Sequence, residues 1–325
     1  MFVSLKKSLL TLAASAFAAV PAFTQTVTVD AKIPAYTVSP GVSGNLNSIG
    51  SDTLNNVMTL WAESFRQLYP NVNIQIEGKG STTAPPALVA GTAQLGPMSR
   101  PMKAEELDAF EKKFGYKPTE VKVAIDALAV FVHKDNPVTG LSLKQVDSIF
   151  SSTFKRGGLP ILKWSDAGVK GSIASKSISL FGRNSASGTY GFFKEHALAK
   201  GDFTTRVKEQ PGSSSVVQGV SSDIGAVGYS GIGYATSGVK AVPLASDDKG
   251  KVIAATYENC LNGTYPMARY LYVYINVHPK RGVDKLTGEF IKFIHSKAGQ
   301  EVVVKDGYFP LTVQTIEQSK SEIGL

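Results

Sequence analysis

Residues 45–70 have the sequence NLNSIGSDTLNNVMTLWAESFRQLYP, which predicts a short strand, a hydroxyl-rich turn and a helix in direct succession. After the turn, apolar side chains recur at helical spacing from Leu54 to Leu68, until Pro70 ends the helix. The turn places Ser51 and Thr53 at a helix start, where unpaired backbone N–H groups and the helix dipole attract anions. The stretch therefore predicts a weak anion site at a strand-to-helix corner.

Two further corners of the same kind follow in the chain. One is Ser81 to Thr83, and the other combines Arg183 with Ser187, Gly188 and Thr189. A single serine or threonine at a helix start most often only caps the helix. Three such corners that converge around one guanidinium would instead make a strong site for a small tetrahedral oxyanion.

Strand-like and helix-like segments alternate along most of the chain, which favours an α/β protein with mostly parallel sheets. Without the N-terminal residues 1–22, about 300 residues remain, which is more than one hydrophobic core usually holds, so we expect two lobes. The long apolar segments 121–133 and 269–276 are the predicted crossover strands. We place the lobes at residues 23–128 with 266–325, and at residues 129–265.

The N-terminal residues predict an exported protein. Lys6 and Lys7 precede an alanine-rich apolar run that is too short to span a bilayer, the pattern of a signal peptide, which we assign to residues 1–22. The chain has one cysteine, Cys260, so it forms no intrachain disulfide. Its formal net charge of +8 is scattered rather than clustered, which argues against nucleic-acid binding but favours encounter with small anions.

Five motifs occur in an order that resembles the phosphate-binding proteins of bacterial Pst uptake systems, the periplasmic receptors of ABC transporters. They are GSDT at 50–53, GSTT at 80–83, SRPM at 99–102, RNSASGT at 183–189 and GAVGY at 225–229. The resemblance runs from about Gly50 to the C-terminus. It implies a type II periplasmic binding protein, a two-lobed Venus-flytrap whose crossover strands act as the hinge.

The resemblance also implies roles for individual residues. It assigns phosphate contacts to Ser51, Thr53, the backbone of Leu54, Ser81, Arg100, Arg183, Ser187, Gly188 and Thr189. It implies inorganic phosphate as ligand, a membrane-embedded ABC permease as partner, and a periplasmic location, with secretion as an alternative. No cofactor or metal is implied, and we expect a monomer.

The position of Arg100 departs from the family pattern. Many relatives have an aspartate there, which accepts the phosphate proton and thereby rejects sulfate. Arg100 could contact the ligand or pair with a nearby acid, either Glu105 or Glu106. The nearest acidic substitute in sequence is Asp52, a candidate proton acceptor.

Two other functions use a similar oxyanion cradle, a secreted phosphatase and an extracellular adhesin-like protein. A phosphatase needs an activated nucleophile or a metal. The four histidines are dispersed without metal-ligand spacing, and GYSG at 228–231 fails the nucleophile-elbow pattern. The sequence therefore predicts a receptor and not an enzyme.

Overall fold

The computed structural model describes residues 27–325, so the predicted signal peptide lies outside the described residues. Its strands are β1 (Gly44–Ile49), β2 (Val72–Glu77), β3 (Gly96–Met98), β4 (Thr119–His133), β5 (Leu141–Ser142), β6 (Ser179–Arg183), β7 (Val207–Gln210), β8 (Ala226–Gly231), β9 (Val239–Ala241), β10 (Leu244–Ala245) and β11 (Ala268–Ile275). Its helices are α1 (Asn55–Leu68), α2 (Ala84–Ala90), α3 (Ala104–Phe114), α4 (Leu143–Phe150), α5 (Gly188–His196), α6 (Ser213–Ser221), α7 (Tyr257–Leu261), α8 (Lys285–Ile294), α9 (Lys297–Lys305) and α10 (Val313–Ile323). Short 3₁₀ turns at Asp52–Leu54 and Ser81–Thr83 lead into α1 and α2.

The two predicted crossover strands, β4 and β11, lie side by side and antiparallel, with Ala124 opposite Leu271. They form the middle of a sheet with the order β3-β11-β4-β8-β6-β7, and β9 also pairs with β4. Among residues 27–325, every antiparallel pair of strands includes β4 or β11. The remaining pairs, β1–β2, β5–β10, β6–β7 and β6–β8, are parallel, as the α/β pattern predicts.

The chain forms two lobes on either side of these strands. Following the lobe limits expected from the sequence, we use lobe 1 for β1–β3, α1–α3, α8 and α9, and lobe 2 for β5–β10 and α4–α7. The apolar face of α1 packs in the core of lobe 1, where the buried Trp61 also donates its indole N–H to the Gly299 carbonyl at 2.7 Å. The lobe limits set from the sequence at residues 128 and 265 stay a prediction.

Residues 151–177 form a long segment without a helix or strand. Trp164 within this segment is fully buried in the core of lobe 2, and its indole N–H donates to the Gly225 carbonyl at 3.0 Å. The segment is therefore a covering loop fixed by one large aromatic side chain. The apolar area that such a ring removes from water explains why this long loop is held against the lobe.

The parallel strands β1, β2 and β6 end at the junction between the lobes, and each leads directly into a turn and a helix. In open α/β sheets the carboxyl ends of parallel strands form the ligand-binding edge. The three hydroxyl-rich corners of the sequence occupy these three strand ends.

Candidate functional site

The first corner lies between β1 and α1. The Ser51 N–H donates to the Pro97 carbonyl at 2.7 Å, so the turn rests against β3, and Gly50 precedes it where a side chain would collide with that carbonyl. Ser51 and Thr53 are both buried. The Leu54 N–H, expected to donate to the ligand, donates to the Ser51 carbonyl at 3.3 Å within the turn. Its contact with an anion stays a prediction.

Two phenols hold the backbone of this corner in place. The Tyr234 hydroxyl, from lobe 2, donates to the Asp52 carbonyl at 2.8 Å, and the Tyr308 hydroxyl donates to the Thr53 carbonyl at 2.7 Å. Burial raises the pKa of both phenols well above its ordinary value, so they remain neutral donors. The first corner is thus fixed by groups outside its own turn.

The second corner follows β2. Gly80 has φ of 118°, a left-handed conformation that favours glycine, and a Cβ there would lie 2.5 Å from the Ala186 carbonyl of lobe 2. Ser81 is fully buried, and its hydroxyl accepts the Ser99 N–H at 3.0 Å and lies 3.3 Å from the Ser99 hydroxyl. Ser99, which the sequence did not single out as a ligand, thereby joins the corner.

The third corner belongs to lobe 2. Ser187 is the N-cap of α5, and its hydroxyl accepts the N–H groups of Thr189 and Tyr190 at 3.1 and 3.4 Å. The capping alternative therefore holds for the side chain of Ser187. The cap does not use the N–H of Gly188, which stands at the first helical position with Thr189 beside it.

The three corners meet at one place between the lobes. The Thr53 and Thr189 hydroxyls lie 2.9 Å apart, and the Ser99 and Thr189 hydroxyls 3.5 Å apart. Gly188 lies against the Ser81 side chain so closely that a Cβ would be 2.9 Å from the Ser81 Cβ. Hydroxyls from both lobes thus form one buried polar cluster, which we call the hydroxyl cluster, made of Thr53, Ser81, Ser99 and Thr189.

Arg183 ends β6, and its side chain, 1% exposed, pairs with Asp52, the residue before Thr53. One terminal nitrogen donates to the Ser213 hydroxyl at 2.7 Å and lies 3.0 Å from Asp52 Oδ2, and the other donates to the Pro211 carbonyl at 3.0 Å. Its Nε is buried without a hydrogen-bond partner among residues 27–325. Burial lowers the pKa of Arg183 and the Asp52 carboxylate opposes that shift, so the guanidinium stays charged.

Asp52 connects the lobes electrostatically. Its Oδ2 accepts the backbone N–H and the hydroxyl of Ser213 at 2.8 and 2.9 Å, at the N-terminus of α6, in addition to the ion pair with Arg183. Asp52 belongs to lobe 1, whereas its partners belong to lobe 2. The structure therefore makes it the counter-ion of Arg183, and its predicted service as proton acceptor stays a prediction.

Arg100, predicted to contact the anion, has a different partner. Its two terminal nitrogens donate to the two carboxylate oxygens of Glu106, both at 2.7 Å, and one also donates to the Pro101 carbonyl at 2.9 Å. This bidentate pair satisfies the fork of the guanidinium. The structural alternative, pairing with Glu106, is the one observed, because this acid in the first turn of α3 reaches back to the strand end.

Replacing Arg100 with methionine should lower the free energy of unfolding by about 2 kcal/mol, because the partly buried Glu106 loses its charge-assisted hydrogen bonds, while changing phosphate affinity less than about threefold. Burial alone would raise the pKa of Glu106, but hydrogen bonds from Arg100 and the Lys103 N–H outweigh it and hold that pKa below its ordinary value. The pair therefore stabilises the fold at neutral pH, and its contribution is lost as the pH falls through that pKa. Urea unfolding at pH 7 and calorimetric titration measure the two quantities, and a tenfold loss of affinity would contradict the assignment.

A residue that sequence reasoning missed, Arg269, completes the site. It is the second residue of β11, is 6% exposed, and donates to the Thr189 hydroxyl at 3.0 Å and to the Ser99 carbonyl at 2.9 Å. Its carboxylate partner is Asp126 of β4, which lies directly opposite in the register. The signal in the sequence was Asp126, a charged residue inside a long apolar strand, which requires a buried cation nearby.

Residues 27–325 show neither a cluster of metal ligands nor a reactive cysteine. No group of three or more metal-ligating side chains occurs in this range. Cys260 is buried, and burial raises the pKa of its thiol to about 12, so it is not a nucleophile at neutral pH. None of the described helices is both long and apolar enough to cross a bilayer.

Comparison with known proteins gives consistent results. A model of the PBP superfamily domain matches residues 35–298. The chain is 56% identical to the phosphate-binding protein PstS of Pseudomonas aeruginosa, over 95% of this chain and 96% of that protein. It is 30% identical to PstS of Staphylococcus haemolyticus, over 80% of this chain and 79% of that protein.

Solved structures agree with these sequence relatives. A phosphate ABC transporter substrate-binding protein from Clostridium perfringens, crystallised with bound phosphate, superimposes with a TM-score of 0.70 at 28% identity, covering 83% of this chain and all of that one. A phosphate transport receptor from Vibrio cholerae shares the fold, with a TM-score of 0.63 at 24% identity, over 82% of this chain and all of that one.

Proposed function

The chain belongs to the PstS family of phosphate-binding proteins within the PBP superfamily, and from that premise we propose that it binds inorganic phosphate between its lobes and delivers it to an ABC permease. Binding accompanies closure of the two lobes about β4 and β11. The role is that of a transport receptor without catalysis. Export through the signal peptide at residues 1–22 places it in the periplasm, where it works as a monomer.

The observation that carries the proposal is the convergence of donors from both lobes on one buried place. The hydroxyl cluster joins Thr53 and Ser81 of lobe 1 to Thr189 of lobe 2, and Arg183, paired with Asp52 next to Thr53 in the chain, keeps a buried Nε without a partner among residues 27–325. A buried polar group without a partner costs about 1–3 kcal/mol, so a site that keeps one must use it. A tetrahedral oxyanion accepts from all of these groups at once. The proposed contacts are Ser51, Thr53, the Leu54 N–H, Ser81, Ser99, Arg183, Ser187, the Gly188 N–H and Thr189.

The charges of the site favour a ligand held by many neutral donors. Arg183 is paired with Asp52, and Arg269 with Asp126, so the four groups sum to no net charge. A buried dianion is costly unless charge-assisted hydrogen bonds compensate its desolvation. Micromolar binding, about −8 kcal/mol, therefore depends on donors already oriented in the closed form. Asp52, beside Arg183, is the proposed acceptor for the proton that phosphate carries and sulfate lacks.

Inorganic phosphate should raise the melting temperature of the purified protein by several degrees. A ligand that binds only the folded state at 100 times its Kd stabilises it by about 2.7 kcal/mol. Sulfate at equal concentration and ionic strength is the control, and it should produce a much smaller shift because it offers no proton to Asp52. The measurement is a thermal melt between pH 5 and 9. An unchanged melting temperature in millimolar phosphate would rule out inorganic phosphate as the ligand.

A further inference from the structure

A buried ion pair joins the two crossover strands directly behind the hydroxyl cluster. The Nε and one terminal nitrogen of Arg269 donate to Asp126 Oδ2 at 2.9 and 2.7 Å, and the side chains are 2% and 0% exposed. The other carboxylate oxygen of Asp126 accepts the Ile232 N–H at 2.9 Å. The guanidinium is therefore held in one orientation by a carboxylate that is itself fixed.

From that position Arg269 reaches both lobes. One terminal nitrogen donates to the Ser99 carbonyl of lobe 1 at 2.9 Å, and the other donates to the Thr189 hydroxyl of lobe 2 at 3.0 Å. The guanidinium also lies 5.2 Å above the ring centre of Phe192 on α5. Arg269 thus contacts a residue of the second corner and a residue of the third corner while belonging to a hinge strand.

The direction of these hydrogen bonds determines what Thr189 can do. A guanidinium has donors only, so the Thr189 oxygen is the acceptor of that bond. Its single hydrogen must then point away from Arg269, toward Thr53, Ser99 or a ligand at the cluster. A phosphate oxygen, as a charged acceptor, takes that hydrogen in preference to a neutral hydroxyl.

We propose that Arg269 is a positioning residue that makes the Thr189 hydroxyl an obligatory donor to the bound anion, and that Asp126 fixes Arg269 for this purpose. The inference rests on the proposed phosphate function and adds to it a residue of the hinge. Because Asp126 neutralises the guanidinium, the pair supplies orientation rather than net positive charge. Its effect on affinity therefore passes through Thr189.

A double-mutant cycle tests this dependence by calorimetric titration with inorganic phosphate. The first change in the cycle is the pair R269M and D126N made together, since replacing both partners leaves no buried unpaired charge. We expect this change, and T189V, each to weaken phosphate binding about tenfold or more. A protein that carries all three substitutions should lose hardly more phosphate affinity than the more affected of the two variants, because both changes remove the same oriented donor. If the losses multiply, Arg269 acts on the anion independently of Thr189 and the inference fails.

Ser213→Ala provides the control cycle, because Ser213 acts on Arg183 and does not contact Arg269. Its loss of affinity should multiply with that of R269M and D126N. If circular dichroism shows that the variant with R269M and D126N is unfolded, R269K takes its place in the same cycle, since lysine keeps the charge beside Asp126 but lacks the planar fork. If the wild-type protein does not bind phosphate, the proposed function itself is refuted. If the wild type binds phosphate and the Arg269 variant binds it equally well, only this inference is refuted.

Discussion

Replacing Arg183 with methionine should weaken phosphate binding about a thousandfold and abolish the thermal shift that phosphate produces. Truncating one member of a buried, hydrogen-bonded charge pair typically costs about 3–5 kcal/mol. Arg183 is 1% exposed at the end of β6, and its Nε is the one guanidinium nitrogen without a hydrogen-bond partner among residues 27–325. The change also leaves Asp52 facing the ligand uncompensated, so the phosphate dianion meets a net negative charge.

The fold of this variant should survive, because Asp52 keeps both hydrogen bonds from Ser213 at the N-terminus of α6. R183K should retain part of the affinity, since lysine restores the charge but not the planar fork. R100M is the matched control, a second arginine near the cleft that is engaged by Glu106. Phosphate affinity within threefold of wild type in R183M would exclude the arginine from the site.

Much of the fold followed from the sequence because its long elements have clear periodicity. The helix predicted from Leu54 to Leu68 is α1, which begins one residue later, and the crossover strand predicted at 121–133 is β4 extended by two residues at its start. The short strands β3, β5, β7, β9 and β10 were missed. Each has two to four residues, too few to show alternation, and exists only because a neighbouring strand supplies its hydrogen bonds.

The sequence predicted the three corners of the site but not which charged side chains pair with each other. Hydroxyls beside glycines at strand-to-helix turns mark Ser51, Ser81 and Thr189, because that chemistry is local in sequence. The partner of Arg183 comes from the other lobe, 131 positions earlier at Asp52, and Arg269 enters only through the β4–β11 register. Such contacts depend on how the lobes close, which periodicity does not encode.

The sequence left Arg100 with two possible partners, the anion or a nearby acid. The feature that decides the observed pairing is Glu106 in the first turn of α3, whose carboxylate also accepts the Lys103 N–H at 2.8 Å. A helix N-terminus attracts an acid, and that acid then takes the nearest guanidinium. Local capping chemistry therefore decides the partner of this arginine.

Replacing Gly188 with alanine should weaken phosphate binding about 10- to 100-fold by keeping the lobes apart. A Cβ at this position would lie 2.7 Å from the Ser99 hydroxyl and 2.9 Å from the Ser81 Cβ, distances that real Cβ atoms do not tolerate. Both serines belong to lobe 1 and are fully buried, so neither has room to move aside. Overpacking of this kind costs about 1–3 kcal/mol, and affinity falls with the population of the closed form.

The unliganded stability of this variant separates blocked closure from damaged folding. Gly188 is the first residue of α5 and has an ordinary helical backbone, where alanine is intrinsically favoured over glycine. Gly191, three residues later in the same helix, supplies the matched control, since its Cβ would meet only the Arg100 side chain at an ordinary 3.5 Å. Both alanine variants should melt at or above the wild-type temperature without phosphate, and only G188A should lose the phosphate shift. If G188A binds as tightly as G191A, the contact between α5 and the Ser81 corner is not part of the closed, ligand-holding form, and the convergence of the three corners loses its functional meaning.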